Sequence, residues 1–146
     1  ITRDDYLYDG LWRVTGVMYY TGGELTQEDK AFAYGDRKRE FARFFYVDGR
    51  AVSVRGYLTV YEDREMMRKK EETVTTFQSS QTERYEWEYD GQGRETGMKY
   101  FVGEALMEGR QDYEYDNDSC RFYDVYYDPS PTGKVVVSSY NIIRYY

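Results

Sequence analysis

The sequence predicts an all-β chain, an antiparallel β-meander of repeated hairpins that form one curled or partly closed sheet. Three observations carry this prediction. A segment beginning at Tyr8 recurs at Tyr89; tyrosine supplies 19 of the 146 residues; and the recurring segments run into Asp-Gly or Asp-x-x-Gly turn signals. Aromatic side chains favour pleated strands and bring a large apolar area each, while Asp and Gly supply the positive φ that tight reversals need. The aromatics matter here because Leu, Ile, Val and Phe together number only 27 residues against a net charge of −7. Without the tyrosines such a balance reads as disorder.

The recurrence is ungapped. Tyr8-Asp9-Gly10-Leu11-Trp12-Arg13-Val14-Thr15-Gly16 aligns with Tyr89-Asp90-Gly91-Gln92-Gly93-Arg94-Glu95-Thr96-Gly97, and the register continues through Tyr19/Tyr100, Gly22/Gly103, Leu25/Leu106 and Tyr34/Tyr115. The offset of 81 residues, from position 8 to position 89, divides into three units of about 27, a period typical of repeat arrays. Within a unit the anchor is an aromatic, one residue, then Tyr: Tyr6 with Tyr8, Phe32 with Tyr34, Trp87 with Tyr89, Tyr113 with Tyr115. A degenerate copy ends at Tyr61 and a fainter one at Tyr140. Units over roughly 6–33, 34–60, 61–88, 89–114 and 115–146 follow, all within a single domain. The repeat itself rests on Tyr8, Asp9, Gly10, Arg13, Tyr34, Tyr61, Asp90, Gly91, Gly93 and Arg94.

Strands and turns follow from alternation. Rings two apart share one face of a strand, as do Tyr113 and Tyr115, and Arg94 to Val102 reads as a strand with Met98 and Tyr100 on one face. Gly103 to Gly109 reads as a looser connection into a strand from Arg110 to Asp116. Glu40 to Tyr46, a turn at Asp48-Gly49, and Ala51 to Tyr61 form another hairpin. Arg121 to Tyr127, a proline-containing turn over 128–133 and Lys134 to Tyr146 close the series. Two segments are compatible with helix, Thr26 to Phe32 and Glu62 to Glu72. The second lacks an apolar i, i+3, i+4, i+7 stripe and so reads as turn and strand.

Composition narrows function. With 27 acidic against 20 basic residues, the chain lacks the cationic footprint that phosphate backbones require, so nucleic acid is not an expected partner. It contains no His, which removes the commonest general base, the usual metal ligand and any Ser-His or Cys-His arrangement. Cys120 is the single cysteine and reads as a small strand residue. Asp112, Glu114, Asp116 and Asp118 alternate as four acids could on one strand face, but they lack the glycine-containing loop of a calcium site and read as a solvated edge. No apolar run reaches membrane-spanning length and no charged-then-apolar leader is visible. No catalytic residue, cofactor or metal is expected, and the chain reads as a non-enzyme.

The segment Trp87-Glu88-Tyr89-Asp90-Gly91-Gln92-Gly93-Arg94 resembles the Tyr-Asp unit of YD-repeat (Rhs/teneurin-like) proteins, and it is similar to units in small uncharacterised secreted or lipid-anchored bacterial proteins. The likeness is good at Tyr6 to Arg13 and at Tyr113 to Arg121, is weak between Tyr34 and Thr76, and departs where Trp12 replaces the motif glycine. It implies extended antiparallel β-structure, residence outside the cytoplasm (secreted, periplasmic or lipid-anchored at the cell envelope), and no catalytic residues to carry over. Gly10-Leu11-Trp12 is also similar to the G-x-W of lipocalins, with Arg144 as the cation on the tryptophan; that alternative implies a closed barrel carrying a small apolar ligand. The expected function is an exported, non-catalytic surface or envelope protein that binds a protein or glycan through its sheet face. Trp87, Tyr89, Tyr100, Tyr113 and Tyr115 are the candidate contacts, and edge-to-edge pairing into a homodimer is open to such a sheet.

Overall fold

The computed structural model describes residues 1–128 and 135–144. Eleven strands follow one another in space as they do in sequence: β1 (Thr2–Tyr8), β2 (Val14–Thr21), β3 (Glu24–Gly35), β4 (Lys38–Val47), β5 (Arg50–Tyr61), β6 (Lys69–Thr76), β7 (Gln81–Tyr89), β8 (Glu95–Val102), β9 (Ala105–Tyr115), β10 (Ser119–Tyr127) and β11 (Val135–Arg144). Every neighbouring pair is antiparallel. Among the described residues the backbone of each strand neighbours only the strands before and after it, and no helix is present to cross a membrane or cover a face.

The sheet is therefore open and one layer thick. β1 and β11 have one neighbour each, and the closed barrel of the lipocalin-like alternative is not formed. Trp12 lies beside β1 and Arg144 on β11, at opposite margins. The surface reflects this: the chain exposes 10020 Å², against roughly 7,900 Å² for a compact protein of 17.5 kDa. Burial is confined to a few positions, chiefly Val17, Tyr61, Val74, Cys120, Phe122 and Val125, with Asp29 and Thr59.

Two kinds of reversal alternate along the rims. On one rim the turns are short: Gly22-Gly23 and Asp48-Gly49 have positive φ at both central residues, which matches the right-handed twist of the flanking strands. The other rim carries Asp-to-Arg loops. The anchor tyrosines stand at the doorway of these loops: Tyr8, Tyr61, Tyr89 and Tyr115 are the last residues of their strands and Tyr34 the last but one. Boundaries drawn at the anchors thus cut through strands, because the tyrosine ends a strand and does not begin one.

Residues 14–35 and 95–115 follow the same course 81 positions apart, down to their irregularities. Ala31 (φ 57°) and Asp112 (φ 55°) both sit in bulges of the pairing to the next strand. Register also slips at Tyr19/Tyr20 and at Tyr100/Phe101. A bulge inserts one residue and turns the following side chains, so its recurrence keeps the rings of both segments on one face.

Three expectations need correction. Gly103 to Gly109 is not a loose connection: the chain reverses at Gly103-Glu104 and β9 begins at Ala105. Gly109 is accommodated inside that strand because the Tyr127 ring covers it, 3.4 Å from where a Cβ would stand. Thr26 to Phe32, compatible with helix by sequence, lies within β3, whereas Glu62 to Glu72 is loop followed by the start of β6, the turn and strand that its missing apolar stripe implied. Tyr140 is not an anchor; it pairs with Tyr123 on the face opposite Phe122, their ring centroids 5.0 Å apart. The proline-containing turn lies outside the described residues beyond Asp128.

Candidate functional site

Register and alternation gather the anchor rings on one face of the sheet. Tyr6, Tyr8, Tyr19, Phe32, Tyr34, Phe41, Tyr57, Tyr61, Tyr85, Trp87, Tyr89, Tyr100, Tyr113, Tyr115 and Phe122 all project to it. They stack across strands: Phe32 on Phe41 at 5.0 Å, Phe41 on Tyr57 at 4.7 Å, Tyr85 on Tyr100 at 4.7 Å and Tyr113 on Phe122 at 5.1 Å. Such cross-strand ring pairs are the units that stabilise a sheet lacking a second layer. Because nothing packs over them, most of these rings stay half-buried.

Ions are set among the rings. Arg43 donates from Nε to Asp29 Oδ1 at 2.5 Å and from Nη2 to Oδ2 at 2.6 Å, and the Tyr19 hydroxyl donates to Oδ2 at 3.0 Å. The Arg43 guanidinium also lies over the rings of Tyr19 and Tyr57, at 5.1 and 5.4 Å. These hydrogen bonds to the Asp29 carboxylate hold the guanidinium well above the ordinary arginine range. Burial, reinforced by the bond to Asp29, pushes the Tyr19 phenol up to about 12. In the second copy Arg110 donates to Asp124 at 3.1 Å, and Asn141 donates to the other carboxylate oxygen at 2.6 Å.

The Asp-to-Arg loops explain the anchor motif atom by atom. Asp9 Oδ1 accepts the backbone N–H groups of Leu11 and Arg13, and Oδ2 accepts Arg13 Nε at 2.8 Å. Asp90 does the same for Gln92 and Arg94, and Asp63 for Met67 and Arg68. The backbone N–H of the arginine is the main reason that the Asp9 and Asp90 carboxyls lie below the usual range. Gly93 supplies a φ of 78° in this loop. The anchor tyrosine of the following odd strand then locks onto the loop: Tyr34 donates to the Val14 carbonyl, Tyr89 to that of Lys69 and Tyr115 to that of Glu95, at 2.6, 2.8 and 2.6 Å. In two of these locks the loop arginine also lies over the ring, Arg13 on Tyr34 at 5.1 Å and Arg94 on Tyr115 at 4.7 Å.

Of the five candidate contacts, Tyr89, Tyr113 and Tyr115 spend their hydroxyls internally, Tyr113 on the Glu95 carboxylate. Burial, then that bond, raises the Tyr113 phenol strongly. Trp87 and Tyr100 are brought together through Tyr85, with Lys69 Nζ 5.6 Å from the Trp87 ring, and burial beside the Glu83 charge pushes Tyr100 up to about 12. Tyr113, Tyr115, Phe122, Arg110 and Glu95 line a groove of about 310 Å³ on this face. Sequence reasoning missed Asp29, Arg43, Arg110 and Asp124, although their spacing of 14 in both copies was readable. The four acids from Asp112 to Asp118 do not share a face, since Asp112 sits in a bulge and Asp116 begins the loop to β10. Among the described residues no group of three or more His, Cys, Asp or Glu is placed to hold a metal ion.

No protein-family model matches the chain, and no curated protein matches it.

Proposed function

We propose that this chain is a non-catalytic binding module that presents its aromatic and arginine face to another macromolecule, protein or glycan. The observation that carries the reading is the single-layer sheet itself, whose ring ladder has no second layer over it and remains half-buried across most of its length. Rings with hydrogen-bonding groups beside them suit both protein and sugar surfaces, and Trp87, Tyr100 and the groove at Tyr113 are the points where apolar area and polar groups adjoin. The resemblance of residues 87–94 to YD-repeat units supports placement at the cell surface or envelope.

The test is a glycan array and a cross-linked pull-down with the intact chain, each repeated with Trp87→Ala and Tyr100→Ala. Capture that both substitutions weaken supports the reading. Capture that neither alters, or that maps to the opposite face, removes it.

A further inference from the structure

We infer that the occupant of the ring face is a second copy of this chain, the two sheets packed face to face about a two-fold axis that runs along the strands between β6 and β7. The inference rests on the reading of this face as a binding surface and names the protein that covers it. Its ground is the placement of charges that find no partner within the chain. On β4 and β5 these are cations. Arg39 and Arg55 lie over Phe41 and Phe45, neither is paired to a carboxylate among the described residues, and the buried Nε of Arg39 has no acceptor. Arg55 also directly faces Arg43, whose guanidinium is spent on Asp29, so it meets a like charge inside the chain. On β7 and β9 the unpaired groups are anions: Glu83 and Glu108 adjoin Tyr100, and neither is paired to a cation among the described residues.

One register row makes the face self-complementary. Arg39 faces Thr59, Thr59 faces Glu72, Glu72 faces Tyr85, Tyr85 faces Tyr100 and Tyr100 faces Glu108. The row crosses β4 to β9 on the ring face, and its midpoint falls between β6 and β7. Half a turn about the strand direction at that point lays the row over itself reversed. Arg39 then opposes the second copy's Glu108, Thr59 its Tyr100 and Glu72 its Tyr85: an ion pair and two hydrogen-bonding pairs, each made twice. The next row, Phe41, Tyr57, Val74, Glu83 and Val102, sets Tyr57 against Val102 and brings each Glu83 within one strand and one register step of the other copy's Arg55. A wholly acidic or wholly basic partner would be repelled by part of this face, and a neutral or acidic glycan offers no cation to Glu83 and Glu108. The strands β4 to β9, of 8–12 residues, present about 800 Å², the share each partner brings to a standard stable interface. Sheets stacked in this way pack as a β-sandwich.

The experiment is sedimentation velocity on the intact chain over a concentration series, beside Arg39→Glu, Glu108→Arg and their equimolar mixture. The parent chain is expected to dimerise. Each variant alone should dissociate with a constant roughly a hundredfold higher, because both copies of the pair become like-charged. The mixture should return close to the parent's value, since opposite charges then meet at both contacts. Hydroxyl-radical footprinting needs no variant: Tyr57, Tyr85 and Tyr100 of the parent chain become shielded as concentration rises, while Tyr123 and Tyr140 on the other face do not. A parent chain monomeric up to about 100 μM, variants that dimerise as the parent does, a mixture no tighter than either variant, or shielding at Tyr123 and Tyr140 would each overturn the inference. If the ring face of a monomeric chain still captures a glycan or a foreign protein, the second copy is excluded as occupant and the binding reading stands.

Discussion

Asp29 and Arg43, joined across β3 and β4, are answered 81 residues later by Arg110 and Asp124 with the charges exchanged. The attraction between the two positions is kept in both copies although the side chains that supply it are exchanged. The first pair is the more enclosed, with Asp29 at 4% exposure. Arg43→Ala strands the buried Asp29 carboxylate and is expected to cost about 3–5 kcal/mol, while Asp29→Ala leaves a guanidinium 26% exposed and should cost less. The exchanged double variant Asp29→Arg/Arg43→Asp should recover much of that loss. At Arg110 and Asp124, where the partners are 41% and 28% exposed, the expected cost is about 1 kcal/mol or less. Urea midpoints of the five variants check this.

The anchor hydroxyls should separate by position. Tyr34→Phe, Tyr89→Phe and Tyr115→Phe each leave a carbonyl without its donor and are expected to cost about 1–3 kcal/mol. Tyr8→Phe, whose hydroxyl bonds nothing among the described residues, should be neutral in the same denaturation series.

Gly93→Ala is expected to destabilise by about 1–2 kcal/mol through its positive φ alone, with displacement of Arg68 added to that. Trp12→Ala should change stability little, since the ring is 84% exposed and that site already carries a side chain. Thermal melts of the two variants compare the sites directly.

Alkali should unfold the chain through its half-buried phenols. Tyr19 and Tyr100 are held neutral up to about 12, above the 10.0 at which a free phenol ionises. Above pH 10 the unfolded chain releases these protons and the folded one keeps them, so stability is full below that pH and falls as pH rises from 10 through 12. A tyrosinate absorbance titration run beside urea melts should show delayed ionisation that disappears in urea. Tyr19→Phe should flatten part of the slope.

Truncation tests the one-dimensional contact pattern. A chain lacking residues 1–21 should keep its far-ultraviolet β signal and lose stability by a step, because the backbone of β1 and β2 neighbours β3 alone and Tyr19 reaches past it to Arg43 of β4. Complete loss of structure would show that the array folds only as a whole.

How far the sequence spoke follows from what each residue is asked to do. Tyr8 and Tyr89 with their aspartates and arginines were legible because a loop that binds its own backbone needs those side chains at fixed spacing. The β9 start was misread because Gly109 resembles a loop residue until Tyr127, from another strand, is known to lie over it. Tyr140 was misread because the faint anchor pattern gives no register, and register alone decides the face a ring takes. The open margins were not legible either, since closure depends on accumulated curl and not on any local motif.

The count of strands between the two margins is odd, so β1 and β11 run in the same direction. A duplicated or lost module of about 27 residues brings or removes two strands. Adding or losing one module therefore leaves the relative direction of the two marginal strands unchanged.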